Sequence, residues 1–457
     1  MEYICRSSRG QQEILGSIAQ TEQKDLASML LCSQKAFLHW SQQTINERIR
    51  IVSNFLDQYK LKRNHIANCM SKEIGKPITQ ALADIDYDIW YIQWHLENTS
   101  SILQQQIVHE DNTSIHIMHF DPKGVAAVIS PRNYPSSQWV REVIPPLLAG
   151  NAVIYKSASA CMRTAKILSD ILINCLPQDI FQAVYGDSAL WQALVELPTD
   201  MTIFTGSTQV GKQIYASNGL QQKPSHLELW WSAPGIILPD ACIDNQMMQT
   251  IEYTRVWHGG QICDGLKRLF VHRSRAQECI TKLSDYFWSI KIGNPLDPQT
   301  KLGPIISSKA KEQIQQQIDD SLRNKATKIE LGIYDKTPWN FVPLTLILNP
   351  DHDTPVMNQE VFGPVLPVVI YDTIQQAISY ANDTIYGLGA YLRWEDKVVV
   401  EQVCQQLKTG NISVNNTSYL IPQVPFGGYK PASGNFRQHG TLGLRNYTEI
   451  KVISKPV

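Results

Sequence analysis

Two residues with the chemistry of a nucleophile and a base stand out in the sequence. Cys263 follows Gly260-Gln261-Ile262, and a cysteine thiolate can add to a carbonyl carbon. Glu228 lies 35 positions earlier at the end of a predicted strand, among apolar neighbours that would raise the pKa of its carboxyl group. Residue type alone leaves alternatives open, because a single cysteine is more often inert packing and a strand-end glutamate can reach solvent.

A phosphate contact is predicted at the loop that begins with Gly206. The segment from Gly206 to Gln213 nearly matches the P-loop pattern Gly-x4-Gly-Lys-[Ser/Thr], but Gln213 has no hydroxyl group to hold magnesium, which argues against nucleotide triphosphate hydrolysis. What remains is Gly206-Ser207 between a predicted strand and helix, where free amides and the helix dipole favour a diphosphate. Alternatively, Ser207 is an ordinary helix cap.

Six short motifs follow one another in a characteristic order. They are Lys72-Glu73-Ile74-Gly75-Lys76-Pro77, Ser130-Pro131-Arg132-Asn133-Tyr134-Pro135, His226-Leu227-Glu228-Leu229, Gly260-Gln261-Ile262-Cys263, Glu360-Val361-Phe362-Gly363-Pro364 and Pro425-Phe426-Gly427-Gly428-Tyr429-Lys430. In this order they resemble the aldehyde dehydrogenase superfamily over most of the chain. The stretches at 267–271 and 293–297 look most like the short succinate-semialdehyde dehydrogenases.

The resemblance implies an enzyme that oxidises an aldehyde to a carboxylic acid. Cys263 would add to the aldehyde, while the side-chain amide of Asn133 and the backbone amide of Cys263 hold the negative oxygen. After hydride transfer, Glu228 would activate the water that hydrolyses the thioester. Asn133 could instead only cap a turn before Pro135.

The same resemblance assigns residues to a dinucleotide cofactor. Lys156 would contact the adenosine ribose, Glu360 the hydroxyl groups of the nicotinamide ribose, and Phe362 the nicotinamide. Many relatives carry a glutamate at the position of Ser159, where it chelates the ribose and repels a 2′-phosphate. Because Ser159 has no carboxylate, we expect NADP to be accepted as well as NAD.

One departure from the family pattern bears on activity. Trp230 and Trp231 stand where the family has two glycines that let the backbone approach the nicotinamide. Strand alternation would place Trp230 on the same face as Glu228. The sequence leaves open whether Trp230 narrows the tunnel, displaces the nicotinamide or turns away. A non-catalytic protein that keeps the fold and only binds nucleotide is therefore the alternative hypothesis.

Three residues are candidates for contacts with the substrate. Arg141, eight residues after Asn133, matches the position at which succinate-semialdehyde dehydrogenases pair an arginine with the substrate carboxylate. Trp139 and Trp257 could line an apolar tunnel for a plain aliphatic or aromatic aldehyde, or lie in the core. A semialdehyde that carries a carboxylate is the first expectation.

Composition excludes several other classes of protein. The 457 residues are 43% hydrophobic, and 41 basic against 42 acidic side chains give a formal net charge of −1. No basic block indicates binding to nucleic acid or a membrane surface, and no apolar run approaches the ~18 residues of a membrane-spanning helix. Nine scattered cysteines without a Cys-x-x-Cys pair predict a reducing, cytoplasmic location and no cysteine-rich metal site.

Helices and short apolar strands must position these residues. Apolar residues at three- and four-residue spacing predict helices over Thr21–Trp40, Asn46–Tyr59 and Pro77–Leu96. From about residue 112, short β-rich runs alternate with helices, which is typical of βαβ units and a largely parallel sheet. Such sheets bind ligands at the carboxyl ends of their strands.

We therefore expect an α/β fold with a Rossmann-like cofactor domain, a second α/β catalytic domain and a small β oligomerisation element. Exposed edge strands of that element would leave backbone N–H and C=O groups unpaired, which favours pairing with a partner chain. The resemblance implies a homodimer or homotetramer. The predicted boundaries are 1–110 and 123–229 for the cofactor domain, 230–428 for the catalytic domain, and 111–122 with 440–457 for the oligomerisation strands.

Overall fold

A computed structural model of the chain describes residues 2–8, 10–323, 326–334, 339–415 and 418–457. These residues form two α/β domains, each built on its own sheet, with a smaller antiparallel sheet beside them. The α/β fold class expected from the sequence is confirmed. No helix in the described part of the chain is long and apolar enough to cross a membrane.

The sheet of the first domain is parallel throughout. Its central strand, Val125–Ile129, is buried at every position because helices cover both faces. Crossover connections run outward from this strand in both directions, so a cleft opens where they diverge, as in Rossmann-like folds. In spatial order the strands are Phe181–Val184, Ala152–Lys156, Val125–Ile129, Met201–Thr205 and Ser225–Glu228.

Helices pack on both sides of this sheet, and one of them was not predicted. Arg63–Ile74 is rich in polar residues, and it ends at Gly75, whose φ of 75° suits a residue without a side chain. The helices of this domain are Leu26–Trp40, Ile45–Leu61, Arg63–Ile74, Ile78–Leu103, Ser137–Leu148, Met162–Ile173, Ala189–Glu196 and Thr208–Leu220.

Trp139 lies in the core of this domain, which corrects its prediction as a tunnel residue. Its side chain is 0% exposed, and its ring lies 5.4 Å from Phe55 and 5.6 Å from Phe181, measured between centroids. Arg141 follows two residues later, and two residues turn a helix by about 200°, so Trp139 and Arg141 point to opposite sides. Helix geometry therefore prevents both from lining one cavity.

The second domain contains a seven-stranded sheet that is parallel except at one edge. Thr327–Leu331 pairs antiparallel with its neighbour, and the other six strands run in one direction. In spatial order they are Thr327–Leu331, Leu344–Leu348, Val365–Tyr371, Leu266–His272, Ala233–Ile237, Gly389–Arg393 and Asn411–Val414. The α-helices of this domain are Asn245–Ile251, Arg273–Phe287, Ser308–Asp319, Pro355–Asn358, Ile374–Asn382 and Lys397–Gln406.

The smaller sheet differs from the predicted oligomerisation element at both ends. Gln106–Glu110, assigned from the sequence to the cofactor domain, forms its third strand beside Ser114–Pro122. The segment Gly440–Arg445 is a short helix, and only Thr448–Pro456 continues as the strand that pairs with Ser114–Pro122. Gln106–Glu110 is short and mostly exposed, so its sequence lacks a clear alternation of apolar and polar residues.

A hairpin at the start of the chain was also missed. Glu2–Ser7 pairs antiparallel with Gly10–Ala19. Few of the described side chains in this hairpin are buried, and Ile14 is largely exposed, so the usual strand signal of one apolar face is weak.

The position of Trp139 predicts a large effect on stability. Trp139→Ala should lower the free energy of unfolding by roughly 3–5 kcal/mol, because it removes a fully buried aromatic ring and leaves a cavity. Urea unfolding followed by circular dichroism measures this loss. Trp288→Ala is the control, since that side chain is 66% exposed and should change stability little. Equal losses in the two variants would contradict the core position of Trp139.

Candidate active site

A cleft of about 440 Å³ runs along the carboxyl ends of the parallel strands of the first domain and reaches Cys263. Loops that follow successive strands supply its walls, which is the expected place for a ligand in this fold. The second domain closes it from the other side. The sequence-predicted residues that line the cleft are Asn133, Lys156, Ser159, Gly206, Ser207, Glu228, Cys263, Glu360 and Phe362.

One end of the cleft contains a lysine and a serine that share a carbonyl group. Lys156 Nζ donates to the carbonyl oxygen of Ser157 at 2.9 Å and to that of Gly186 at 3.4 Å. The Oγ atom of Ser159 donates to the same Gly186 oxygen at 3.0 Å. Burial lowers the pKa of Lys156 to about 8. This end therefore offers cationic and hydroxyl groups where many relatives have a carboxylate.

The helix Thr208–Leu220 begins in the wall of the cleft. The Oγ atom of Ser207 accepts a hydrogen bond from the backbone N–H of Val210 at 3.2 Å, so Ser207 is a helix cap, as the alternative interpretation held. A cap does not exclude a phosphate, because the amides of the first turn remain available and the dipole favours negative charge. At Gly206, a Cβ atom would overlap the ring of Phe204, so only glycine fits there.

Glu360 lies at the other end of the cleft with an unused acceptor. Its Oε1 atom has no hydrogen-bond partner and lies 3.8 Å from Lys267 Nζ, which is an ion pair too long for a hydrogen bond. Burial raises the pKa of Glu360, while Lys267 opposes that shift. Lys267 Nζ also lies 5.1 Å from the centroid of Phe362. A buried, orphaned carboxylate oxygen fits the ribose hydroxyl groups of a dinucleotide.

The loop that carries Cys263 has an unusual backbone. A π-helical turn, Glu252–Val256, is followed by three residues with left-handed conformation, at His258, Gly259 and Gly260. A Cβ atom at Gly260 would overlap the carbonyl group of Gly363, so glycine is required at this point. The loop thus lies directly against the segment that begins with Glu360.

Asn133 contacts the same loop. Its Nδ2 atom donates to the carbonyl oxygen of Gln261 at 3.0 Å. Since a side-chain amide has two N–H groups, this bond orients the amide and leaves one donor for another oxygen. The arrangement is suited to an oxyanion hole beside Cys263.

Glu228 is buried and Cys263 is partly buried, and the carboxyl group of Glu228 contributes to the raised pKa of Cys263. Burial raises the pKa of the Cys263 thiol well above its ordinary value, with further contributions from Asp264 and Glu228, and Arg141 acts in the opposite direction. Burial likewise raises the pKa of Glu228, whose Oε1 atom has no hydrogen-bond partner. A glutamate with a raised pKa is a stronger base once it ionises.

The two tryptophans that replace family glycines have different surroundings. Trp231 is 1% exposed and packs in an aromatic cluster with Tyr419 and Phe426. Trp230 is 39% exposed and borders the cleft, but it lies beyond the strand Ser225–Glu228, so strand alternation does not set its orientation. Both indoles and Cys263 line this same cleft.

A second cavity, of about 110 Å³, lies on the other side of Cys263. Two of the three candidate substrate residues, Arg141 and Trp257, line it, whereas Trp139 does not. Arg141 is 9% exposed, its Nε atom has no hydrogen-bond partner, and it forms no ion pair with any described residue. Its Cζ atom lies 5.0 Å from the ring centroid of Tyr87.

Several polar residues of the site were not found from the sequence. Asp84, Tyr253 and Asp264 line the small cavity, and Lys267 supports Glu360. Asp264 directly follows Cys263, and this position in the sequence was enough to predict that Asp264 lies in the site. Asp84 and Tyr253 reach the cavity only through tertiary packing.

Comparison with known families agrees with this geometry. A model of the aldehyde dehydrogenase family matches residues 2–453. The chain belongs to the aldehyde dehydrogenase family. Its members oxidise aldehydes, so the protein is an oxidoreductase that acts on this class of small molecule.

Similar proteins and structures cover nearly the whole of this aldehyde dehydrogenase. A succinate semialdehyde dehydrogenase of Acinetobacter baylyi is 30% identical over 443 residues, which are 96% of this chain and 91% of that protein. A glutarate-semialdehyde dehydrogenase of Pseudomonas aeruginosa is 28% identical over 447 residues, covering 96% and 92%. The crystal structure of an NADP dependent enzyme of E. coli superposes with a TM-score of 0.95 at 27% identity, covering 100% and 95%.

A burst experiment separates the expected roles of Glu228 and Cys263. Glu228→Gln should release one equivalent of reduced cofactor rapidly and then turn over roughly 100-fold more slowly or worse, because the thioester lacks its base. Stopped-flow absorbance of the reduced cofactor measures both phases. The control, Cys263→Ala, should show neither phase.

In the wild type, the raised pKa of Glu228 predicts that steady-state kcat rises with pH until the carboxyl group ionises. A Glu228→Gln variant that keeps wild-type steady turnover would show that another group activates water.

Proposed function

We propose that the protein catalyses the NADP- or NAD-dependent oxidation of a short aldehyde that carries a carboxylate, with succinate semialdehyde as the leading candidate. The supporting observation is Arg141, a buried guanidinium beside Cys263 that lacks an ion-pair partner within the described residues. An unpaired buried charge costs several kcal/mol, and a substrate carboxylate would offset that cost with charge-assisted hydrogen bonds.

The proposed chemistry uses four groups of this chain. Cys263 Sγ forms a bond to the aldehyde carbon, and the Asn133 amide and the Cys263 backbone N–H hold the resulting negative oxygen. A dinucleotide held by Lys156, Ser207 and Glu360 would supply the hydride acceptor, and loss of the hydride from the former aldehyde carbon would leave a thioester on Cys263. Glu228 then takes a proton from water, the water oxygen attacks the thioester carbon, and the C–S bond breaks to release the acid and the thiolate.

Acceptance of NADP is supported by the adenosine end of the cleft. Lys156 and Ser159 present positive charge and a hydroxyl group to a 2′-phosphate, with no carboxylate at position 159 to repel it. The similar E. coli structure is described as an NADP dependent enzyme.

The small antiparallel sheet supports assembly with a second copy of the chain. Thr448–Pro456 is an edge strand with exposed apolar side chains, at Ile450, Val452 and Ile453. Pairing with a partner would cover its free backbone groups, so we propose a homodimer or homotetramer. All nine cysteines are free, which supports a cytoplasmic location.

The alternative, a nucleotide-binding protein without turnover, has less support. It requires Trp230 or Trp231 to fill the path to Cys263. Cys263 lines the open cleft together with both side chains, and Trp231 packs in the aromatic cluster.

Arg141→Gln tests the substrate class. The variant should lose roughly 100-fold in kcat/KM for succinate semialdehyde, because it removes a charge-assisted contact. The loss for butanal should be much smaller, because only the effect of Arg141 on the Cys263 thiolate is removed. Steady-state assays with both aldehydes measure the two effects. If butanal and succinate semialdehyde are affected equally, Arg141 does not bind the carboxylate.

Ser159→Glu tests the cofactor assignment. We expect the ratio of kcat/KM for NADP to that for NAD to fall by roughly 10–100-fold, because the new carboxylate repels a 2′-phosphate. Ser159→Gln is the matched control, as it adds similar bulk without charge. Titration of each cofactor gives Kd values, which show whether the ratio changes through cofactor binding rather than through the chemical steps. Equal ratios in the two variants would place residue 159 away from the ribose.

A further inference from the structure

A second unpaired charge faces the small cavity beside Cys263. Asp264 is 6% exposed, lines this cavity, and also lines an adjoining one of about 280 Å³. Its Oδ1 atom lies 3.8 Å from Cys263 Sγ, which is the only hydrogen-bond contact of the carboxylate with a side chain in the described parts of the chain. None of the ion pairs among those residues includes Asp264.

The other carboxylate of the cavity is in a different situation. Asp84 forms a buried ion pair with Lys76, so the protein itself offsets its charge. Lys76 Nζ also lies 3.6 Å from the ring centroid of Tyr134, which holds the lysine in place. Asp84 therefore has little need of a cationic ligand.

The nearest cation on the side of the cofactor cleft is also occupied. Lys267 is paired with Glu360 and donates to the carbonyl oxygens of Gly260 and Val361 at 3.4 and 3.3 Å. Burial raises the pKa of Asp264, and Lys267 opposes that shift only through a longer-range attraction. Arg141 has the same long-range effect, but its nitrogens are more than 4.0 Å from the oxygens of Asp264.

Two opposite buried charges thus share one cavity without contacting each other. If a substrate carboxylate binds Arg141, as in the proposed function, the charge of Asp264 remains uncompensated. That charge also opposes the thiolate of Cys263, because both are negative and close together. A positive group on the substrate would compensate the charge of Asp264 and would reduce the repulsion between Asp264 and the thiolate of Cys263.

We propose that the preferred substrate is an amino-semialdehyde, whose carboxylate pairs with Arg141 and whose ammonium group pairs with Asp264. This inference rests on the proposed function and narrows its substrate class. The reaction is unchanged, since the aldehyde carbon loses a hydride and gains a water oxygen while the ammonium group only binds. Asp264 is then a specificity-determining residue.

Three matched aldehydes test the inference. They are 4-oxobutanoate, which is succinate semialdehyde, and its 2-amino and 2-hydroxy derivatives. We expect the wild type to show at least 10-fold higher kcat/KM for the amino compound than for either of the others. Asp264→Asn, which keeps the shape and removes the charge, should abolish this preference. Its effect on the Cys263 thiolate is common to the three aldehydes, so the ratio of their kcat/KM values is the quantity that reports the ammonium contact.

Binding measured without turnover provides the second readout. Calorimetric titration of the Cys263→Ala variant should give a lower Kd for the amino compound than for 4-oxobutanoate, and the added Asp264→Asn change should make the two Kd values equal. Thermal unfolding checks that the Asp264→Asn variant is folded. If it is not, Asp264→Glu replaces it, and it should retain the amino preference, because the charge is kept.

The possible failures are distinguishable. A wild type that oxidises 4-oxobutanoate but not its amino derivative overturns this inference and leaves the proposed function intact. Equal rates on the amino and hydroxy compounds overturn the ammonium assignment, because Asp264 would then recognise a hydrogen-bond donor regardless of charge. A wild type that oxidises only aldehydes without a carboxylate overturns the proposed function itself.

Discussion

Two buried cations bind the loop of the nucleophile to the segment that carries Glu360 and Phe362. Arg255 donates to the carbonyl oxygens of Val361, at 3.2 Å, and of Gly363, and Lys267 donates to those of Gly260 and Val361. These residues precede and follow Cys263 in the chain, so the loop is held at both of its ends. The loop of Cys263 and the segment of Glu360 and Phe362 therefore keep a fixed separation, which the transfer of a hydride over a short distance requires.

Buried charged residues of this protein fall into two groups, those with an ion-pair partner and those without one among the described residues. Where the protein needs a buried charge for its own architecture, it provides the counter-charge, as in the pair of Lys76 and Asp84. Arg141 and Asp264 lack such partners although they are equally enclosed. Because burial without compensation is costly, these unpaired groups are the basis of the proposal that a charged substrate supplies the missing counter-charges.

Local patterns predicted the parts of the fold in which sequence and environment agree. Val125–Ile129 is apolar at every position and buried at every position, and the motif residues Asn133, Glu228 and Cys263 follow predicted elements into one cleft. Gln106–Glu110 escaped prediction because its ordering comes from a neighbour in the sheet rather than from its own side chains. The assignment of Trp139 to the tunnel overlooked the rotation of a helix. The lack of an ion-pair partner for Arg141 within the described residues depends on distant packing that no local spacing encodes.

The pairing of Thr448–Pro456 with Ser114–Pro122 has a consequence for biosynthesis. His116 and Ser454, which are hydrogen-bonded across this sheet, are separated by 338 residues in the chain. The ribosome must therefore complete almost the whole polypeptide before the sheet can close, and until then the strand beginning at Ser114 has an open edge with Ile117 uncovered. Contacts between residues so far apart in the chain form slowly. The nascent chain therefore passes through a long interval in which this edge can associate with other chains or bind chaperones.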